Sequence, residues 1–407
     1  MRILWLNTEP LHPLDKGGKI RTYQMLKRIK REHEVTYVSF AGADNHETSE
    51  RWSEYCHRLV TVPRRERPKT GLHFYRDLVL NLVSSLPYAI QKYRSSAMRR
   101  TIERELRLGD FEIVICDFLA SSINLPPALS RPSVLFQHNV ESTIWRRHYE
   151  TQTHSFKREF FRSQWRRMLK YEKAACAEFD AVVAVSKVDR NLMLQEFGLS
   201  DVYEVPTGVD TDFFRPRSSA ASASALVFTG SMDWMPNEDA ILYFTREILP
   251  RIELAVPDVT LRIVGRNPSK RLAALAASNS RIIITGRVED VRTHINQAAA
   301  SIVPIRIGGG TRLKIFEAMA MEKPVISTSI GAEGLPVRDG EELLLADTPE
   351  DFAASVIGVL TDAHLAKTLG QQARKSVCER FGWESAAVRF MEVCENVLGN
   401  KARRRAA

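Results

Sequence analysis

The chain has 407 residues, of which 44% are apolar and 26% charged, with 20 Gly and 18 Pro. That composition excludes a disordered chain, a fibrous repeat and a small disulfide-stapled scaffold, and at about 150 residues per domain it leaves room for two to three domains. Residues 1–200 hold 33 Lys+Arg against 23 Asp+Glu, and the remainder 25 against 26, so the net charge of +9 comes from the first half and points to two domains with different partners.

The five cysteines, Cys56, Cys116, Cys176, Cys378 and Cys394, are odd in number and never spaced C-x-x-C. They read as reduced thiols of a cytosolic protein. The opening MRILWLNTEP lacks the apolar run and cleavage site of a signal peptide. No stretch reaches the roughly 18–20 apolar residues of a bilayer span; the nearest, Leu78 to Ile90, is broken by Asn81, two serines and Pro87.

In chain order, the first half opens with the apolar run Arg2 to Asn7, a Gly-rich loop, a helical pattern over Ile20 to Glu32 and a second run, Glu34 to Phe40. Gly17 and Gly18 make either a tight turn into the helix or a backbone loop approaching an anion. Lys16, Lys19 and Arg21 around them favour the anion. Further runs are Phe111 to Phe118, Ser133 to Asn139 and Ala181 to Ser186. Runs this apolar, alternating with helical patterns, read as buried parallel strands. Ligands bind beyond the carboxyl ends of such strands. Asp117, His138 and Glu141 all follow a run, and Asp117 and Glu141 are candidates for contacting an acceptor hydroxyl.

The stretch Trp145 to Lys173 is basic and aromatic. Phe156, Phe160, Phe161, Trp165, Met168 and Leu169 fall on one side at helical spacing, and Arg158, Arg162, Arg166 and Lys170 form a ladder on another. This is either a core face with a solvated face, or a contact for anionic lipid headgroups or a lipid-linked pyrophosphate. No nucleic-acid module accompanies it.

The segment Val205 to Ala225, rich in Pro, Gly, Ser and Ala, reads as a hinge and linker. Its Asp210 and Asp212 suit turn formation better than metal binding. Strand–helix alternation then restarts, with runs at Ala225 to Met232, Val259 to Gly265, Arg281 to Val288, Ser301 to Ile305 and Pro324 to Ser329. The expectation is an α/β protein of two doubly wound domains: residues 1–205, a linker 206–224, residues 225–385, and a C-terminal helix with a basic tail, 386–407, that can pack back on the first domain.

The most informative segment is Pro304 to Val325, PIRIGGGTRLKIFEAMAMEKPV. Three glycines precede a helix start, which offers free N–H groups and a partial positive charge. Arg312 and Lys314 add cations where the helix dipole disfavours them. An anion between them resolves that misfit, and a diphosphate fits. Glu317, on the same helix, can accept hydrogen bonds from a ribose diol.

This segment, extended to GAEGL, resembles the donor signature of the GT-B glycosyltransferases of the group 1, or family four, type. QHNVE, VPTGVDTDFF, FTGSMDWMPN and VGRNP…ITGRVEDV follow in that family's order over nearly the whole chain. The resemblance implies two Rossmann-like domains facing across a cleft, and retaining transfer from a nucleotide sugar. Domain closure would bring together a donor held by the second domain and a carbohydrate or lipid-linked acceptor held by the first.

The resemblance implies that Gly310, Thr311, Arg312 and Leu313 offer backbone amides to the diphosphate, and that Glu317 holds the ribose. Gly309 stands where the family has a sugar-contacting glutamate. The loop containing Gly230 carries Ser231, Asp233 and Asn237 in place of the family's Arg and Lys, so Arg312 and Lys314, with Arg306, are expected to supply the positive charge. Gly17, Gly18 and Gly230 are candidates beside the donor, Arg287 and Val288 beside its base, and His138 near the reacting sugar is the main catalytic candidate together with Arg312 and Lys314. No metal and no cofactor are expected. The expected partners are the nucleotide sugar, the acceptor and an anionic membrane surface, and the expected location is cytoplasmic, on the inner face of the plasma membrane. Two other readings remain open: a nucleotide-sugar epimerase of the same fold, and a non-catalytic nucleotide-sugar-binding protein.

Overall fold

The computed structural model describes residues 1–14, 16–41, 50–64, 72–127, 129–217, 222–307 and 313–406. The chain divides into two compact units, one of Met1–Pro206 with Glu384–Ala407 and one of Thr207–Trp383.

The first unit is built on a parallel sheet of β1 (Arg2–Leu6), β2 (Glu34–Phe40), β3 (Arg58–Val62), β4 (Ile113–Asp117), β5 (Ser133–Gln137), β6 (Ala181–Ala184) and β7 (Val202–Glu204), in the order β3-β2-β1-β4-β5-β6-β7. The central runs RILWL, IVICD and SVLFQ are buried almost throughout, which parallel strands covered by helices require. The second sheet holds β8 (Ala225–Thr229), β9 (Thr260–Val264), β10 (Ile282–Gly286), β11 (Ala300–Val303), β12 (Val325–Ser327) and β13 (Leu344–Leu345), in the order β10-β9-β8-β11-β12-β13. Strand order reverses beside β1 and beside β8, and such switch points are where open α/β sheets bind ligands. Both units are thus doubly wound, as the alternation of runs implied.

Six helices carry or brace the candidate site residues: α1 (Gly17–Ile29), α2 (Leu72–Leu82), α3 (Glu141–Thr151), α4 (Ser155–Cys176), α5 (Leu313–Ala320) and α6 (Trp383–Ala406). The basic aromatic stretch is two helices, α3 and α4, interrupted over 152–154. Phe156, expected on the apolar side, is 84% exposed, whereas Met168 is fully buried. The chain after Pro206 does not run free. Val209 N–H donates to Phe381 O at 2.8 Å, and a Cβ on Gly208 would lie 2.8 Å from the Trp383 ring. Asp210 caps its own turn, accepting from Phe213 N–H at 3.0 Å. The α6 helix covers the first sheet through Phe390, 5.5 Å from Trp5 and 5.0 Å from Phe136 between ring centroids. Among the described residues no helix is long and apolar enough to cross a membrane.

Candidate functional site

In the second unit, β8, β9 and β11 lie side by side, so their carboxyl ends open onto one place. Gly230 follows β8, and its N–H donates to Val264 O at 2.9 Å. Gly265 follows β9, and a Cβ there would sit 1.7 Å from Gly230 O. Only glycine permits that contact. The result is a side-chain-free platform at the strand ends.

Lys314, in the first turn of α5, reaches this platform. Its ammonium donates to Asn237 Oδ1 at 3.0 Å and lies 3.9 Å above the centroid of the buried Phe228 ring. A Cβ on Gly230 would come within 2.7 Å of Lys314 Nζ. The cation is therefore fixed beside Gly230. Glu317 is one turn further along the same helix. It is partly buried, and among the described residues none hydrogen-bonds its carboxylate. Burial pushes its carboxyl up to about 7, against the pull of Lys314.

A carboxyl so placed offers both its oxygens to a pair of hydroxyls only when ionised. Ligand hydroxyls held there bind best above pH 7, and binding weakens as the pH falls through that value. Between pH 8 and pH 6 the ionised fraction of such a group drops by roughly tenfold. Titration calorimetry with nucleotide should show an affinity loss of about that size, flattened in Glu317→Gln.

Other expected donor residues fall as follows. Leu313 is buried at the start of α5. Gly309, Gly310, Thr311 and Arg312 lie outside the described residues. Arg287 is exposed after β10, and Val288 packs against the small cluster of Val227, Val264 and Ala298. Arg306, expected to supply charge for a diphosphate, is engaged by the protein itself. Its guanidinium is held by both oxygens of Asp239, at 2.9 and 3.2 Å, and stacks 4.2 Å from the Tyr243 centroid.

A second cation near these strand ends was not singled out in the sequence reading. Arg266, from the loop after β9, donates through Nε to Ser231 Oγ at 2.8 Å, and its Nη2 lies 3.9 Å from Asp233. The loop after β8 contains no cation of its own, yet the neighbouring strand delivers one. The signal was the position of Arg266, two residues beyond the end of the neighbouring strand β9.

In the first unit, the adjacent ends of β1, β4 and β5 bring Asn7, Asp117 and His138 together. Asp117 is fully buried. Its Oδ2 accepts from Trp5 Nε1 at 3.1 Å, Asn7 Nδ2 at 2.7 Å and Thr22 Oγ1 at 2.7 Å, and its Oδ1 lies 2.6 Å from His138 Nε2. Arg21 Nη1 lies 3.0 Å from His138 Nδ1. A guanidinium can only donate, so Nδ1 accepts and Nε2 carries the proton to Asp117. The tautomer follows from the chemistry of the neighbours. Burial lowers the imidazole's affinity for a second proton, with Asp117 opposing and Arg21 assisting. Burial likewise brings Arg21 down to about 10 against the attraction of Asp117 and Asp189.

Two expectations change here. Asp117 cannot contact an acceptor hydroxyl, because both its oxygens are taken inside the fold. His138 is 3% exposed, with Phe118 stacked on it at 3.8 Å and Phe136 at 4.5 Å. Both of its nitrogens are engaged within the fold, by Asp117 and Arg21, so in this structure it joins the end of β5 to the end of β4 and to α1. Phe118 takes φ 66°, and a Cβ on Gly18 would lie 2.5 Å from its ring. Gly18 is thus required by packing. The cations around the Gly17–Gly18 pair have protein partners: Lys16 lies 2.7 Å from Glu9, Lys19 lies 3.8 Å from it, and Arg21 lies in the buried network. They no longer argue for a ligand at that loop.

Glu172 of α4 was also missed. It is fully buried and accepts from Gln137 Nε2 at 2.5 Å and from the N–H groups of Glu141 and Ser142 at 2.7 and 2.8 Å. It thereby grips the chain on both sides of His138 and takes the amides at the start of α3. Burial raises its carboxyl to about 8, while those hydrogen bonds oppose the rise. Glu141 itself is partly buried, and burial raises its carboxyl as well, with Lys92 opposing. Among the described residues no group of three or more His, Cys, Asp or Glu could hold a metal ion.

Comparison with known proteins agrees with this geometry. Residues 223–362 match the family described as glycosyl transferases group 1, and residues 16–213 match glycosyltransferase family 4. A protein of the cps region of Klebsiella pneumoniae is 21% identical over 88% of this chain and 90% of its own length. The phosphatidyl-myo-inositol mannosyltransferase of Mycobacterium tuberculosis is 28% identical over 75% of this chain and 79% of its own. Among solved structures, sucrose-phosphate synthase from Thermosynechococcus elongatus superposes with a TM-score of 0.73 at 17% identity, over 98% of this chain and all of that one. Anabaena HepE in complex with UDP and glucose gives 0.66 at 13% identity, over 97% of this chain and 100% of that one. Two doubly wound sheets, a platform of paired glycines with a fixed cation, and two family matches that together span most of the sequence lead to one conclusion: the chain belongs to the GT-B glycosyltransferases of the group 1 type.

Proposed function

We propose that this glycosyltransferase is retaining and metal-independent, and that it moves a sugar from a nucleotide sugar to a carbohydrate or lipid-linked acceptor during assembly of cell-surface or extracellular polysaccharide. The observation that carries the donor side of this reading is Lys314, held by Asn237 and Phe228 against the Gly230–Gly265 platform. A departing diphosphate gains charge at its bridging oxygen. A fixed ammonium and backbone amides at a helix start stabilise that charge without a metal. Arg266 adds a second cation at the rim, and Glu317 offers its carboxylate to the ribose.

The acceptor side is assigned to the first unit, with Glu141 near the strand ends that His138 and Glu172 hold in place. A complex with UDP and glucose among the structural neighbours supports a nucleotide-sugar donor. A mannosyltransferase of a phosphatidylinositol and a protein of a cps region among the relatives support a lipid-linked or polysaccharide acceptor. The basic face of α4 fits anionic headgroups, which supports work at the inner face of the plasma membrane.

The test supplies labelled UDP-, GDP- and ADP-sugars with and without membrane-extracted acceptors, and follows the anomeric configuration of product by NMR. Product that keeps the donor's configuration, formed in the presence of a chelator, is expected. Inverted product, a strict need for a divalent ion, or interconversion of the sugar without acceptor would overturn the retaining, metal-free or transferase element respectively.

A further inference from the structure

Asn237 stands in the first turn of the helix Met235–Tyr243 that follows the Gly230 loop, and it is 3% exposed. A buried amide needs partners for both its ends, and here each end meets a different part of the site. The oxygen Oδ1 accepts from Lys314 Nζ at 3.0 Å, and Nδ2 donates to the carbonyl of Ser231 at 2.8 Å. An ammonium can only donate and a carbonyl can only accept, so the amide has one orientation that serves both. Its packing is as close as its bonding: a Cβ on Gly230 would lie 2.7 Å from Asn237 Nδ2 as well as from Lys314 Nζ.

Ser231 carries the connection further. Its Oγ donates to Asp233 Oδ1 at 2.6 Å and accepts from Arg266 Nε at 2.8 Å. Asp233 Oδ2 accepts from Asn267 Nδ2 at 3.1 Å, and Met232 N–H donates to Arg266 O at 2.9 Å. The loops after β8 and β9 are thereby bound to one another through side chains and backbone. Two uncharged residues, Asn237 and Ser231, join Lys314 to Arg266. Leucine, of similar volume, would fill the space of Asn237 without needing partners. The amide adds what leucine lacks, a fixed place for the ammonium.

We propose that Asn237 is a positioning residue of the donor site: through Lys314 on one side, and Ser231 with Arg266 on the other, it sets the spacing of the two cations that meet a nucleotide's diphosphate. This rests on the reading of the Gly230–Gly265 platform as the donor site and adds the residue that sets its geometry. Groups that stabilise charge must be held by neighbours that are themselves held, and hydrogen bonds to a charged group are the stronger kind.

The experiment is titration calorimetry of the full chain with UDP and UMP, GDP and GMP, and ADP and AMP. Wild type is compared with Asn237→Leu and with Ser231→Ala, which deletes only the hydroxyl between the two loops, and thermal melting checks that each variant folds. Each pair of nucleotides differs by one phosphate, so the ratio of the two affinities reports the placing of the cations and is blind to base and ribose. The expected result is a wild-type preference for one diphosphate that falls roughly tenfold in Asn237→Leu and a few-fold in Ser231→Ala, with monophosphate affinity unchanged in both. Equal losses for the diphosphate and its monophosphate assign Asn237 to packing alone and overturn the proposal. A preference left intact in either variant also overturns it, and Ser231→Ala alone decides if Asn237→Leu does not fold. A wild type that prefers no diphosphate over its monophosphate overturns the donor reading of Lys314, and this inference with it.

Discussion

Replacing Lys314 with alanine should lower turnover by roughly 100-fold, which is about 3 kcal/mol in the barrier and the usual cost of removing one fixed electrostatic contact to a transition state. Placement is the reason. An ammonium in the first turn of a helix opposes the dipole, so the fold gains little from putting it there. Asn237 and Phe228 nevertheless hold it in one position beside Gly230. Under the proposed function, the charge that would justify this position is the one that grows on a leaving diphosphate. The effect should fall on both donor affinity and kcat, because the ammonium meets the diphosphate in the bound donor and the interaction strengthens as the bond breaks. Lys314→Arg should recover part of the rate. A melting curve separates this from unfolding, since the side chain is only partly buried. Steady-state assays with saturating donor give the answer, and unchanged turnover in the alanine variant would contradict the role.

The second large effect is on stability. Asp117→Ala should destabilise the first unit by about 3–5 kcal/mol, because removing one partner from a buried pair leaves the other without compensation. Arg21 and His138 would lose their anion, and Trp5, Asn7 and Thr22 a shared acceptor. Asp117→Asn keeps the volume but turns an NH2 group toward existing donors, so it should still cost most of this. Urea unfolding of the first unit, followed through Trp5 in β1, measures the loss; a midpoint shift near zero would show that the network adds nothing. The pH dependence has a definite sign. His138 resists protonation in the fold, so the unfolded chain takes up the proton first as the pH drops. The stability contributed by the neutral ring is present above the ordinary histidine value and is lost as the pH falls below it.

Much of this architecture could be read from the residues alone, and the parts that could not share a cause. IVICD, SVLFQ and ALVFT are buried on both faces, so they are apolar without interruption and stand out as strands. The strands β3, β7 and β13 lie toward or at sheet edges, are half exposed or very short, and carry no such run. The apolar residues whose spacing was read, Phe156 to Leu169, all lie within α4, so the break before it left no mark. In the candidate site, the positions after the strands were legible, because chain order and strand ends give them. Partners were not. Lys314 meets Asn237 across 77 residues, Asp117 meets Trp5 across 112, and Glu172 reaches back 35 to Gln137. Arg306 and Arg266 show the consequence most clearly. A count of cations gives neither its partner: Asp239 holds the first, and Ser231 and Asp233 of the loop after β8 hold the second.

The most direct measurement is a thermal-shift comparison of wild type and Lys314→Ala across UDP-, GDP- and ADP-sugars. At 100 times its dissociation constant a true donor should stabilise the wild type by about 2.7 kcal/mol. A shift for one nucleotide class, much reduced in the variant, is expected if Lys314 receives the diphosphate. No shift with any nucleotide sugar, or an equal shift in both proteins, would contradict that role.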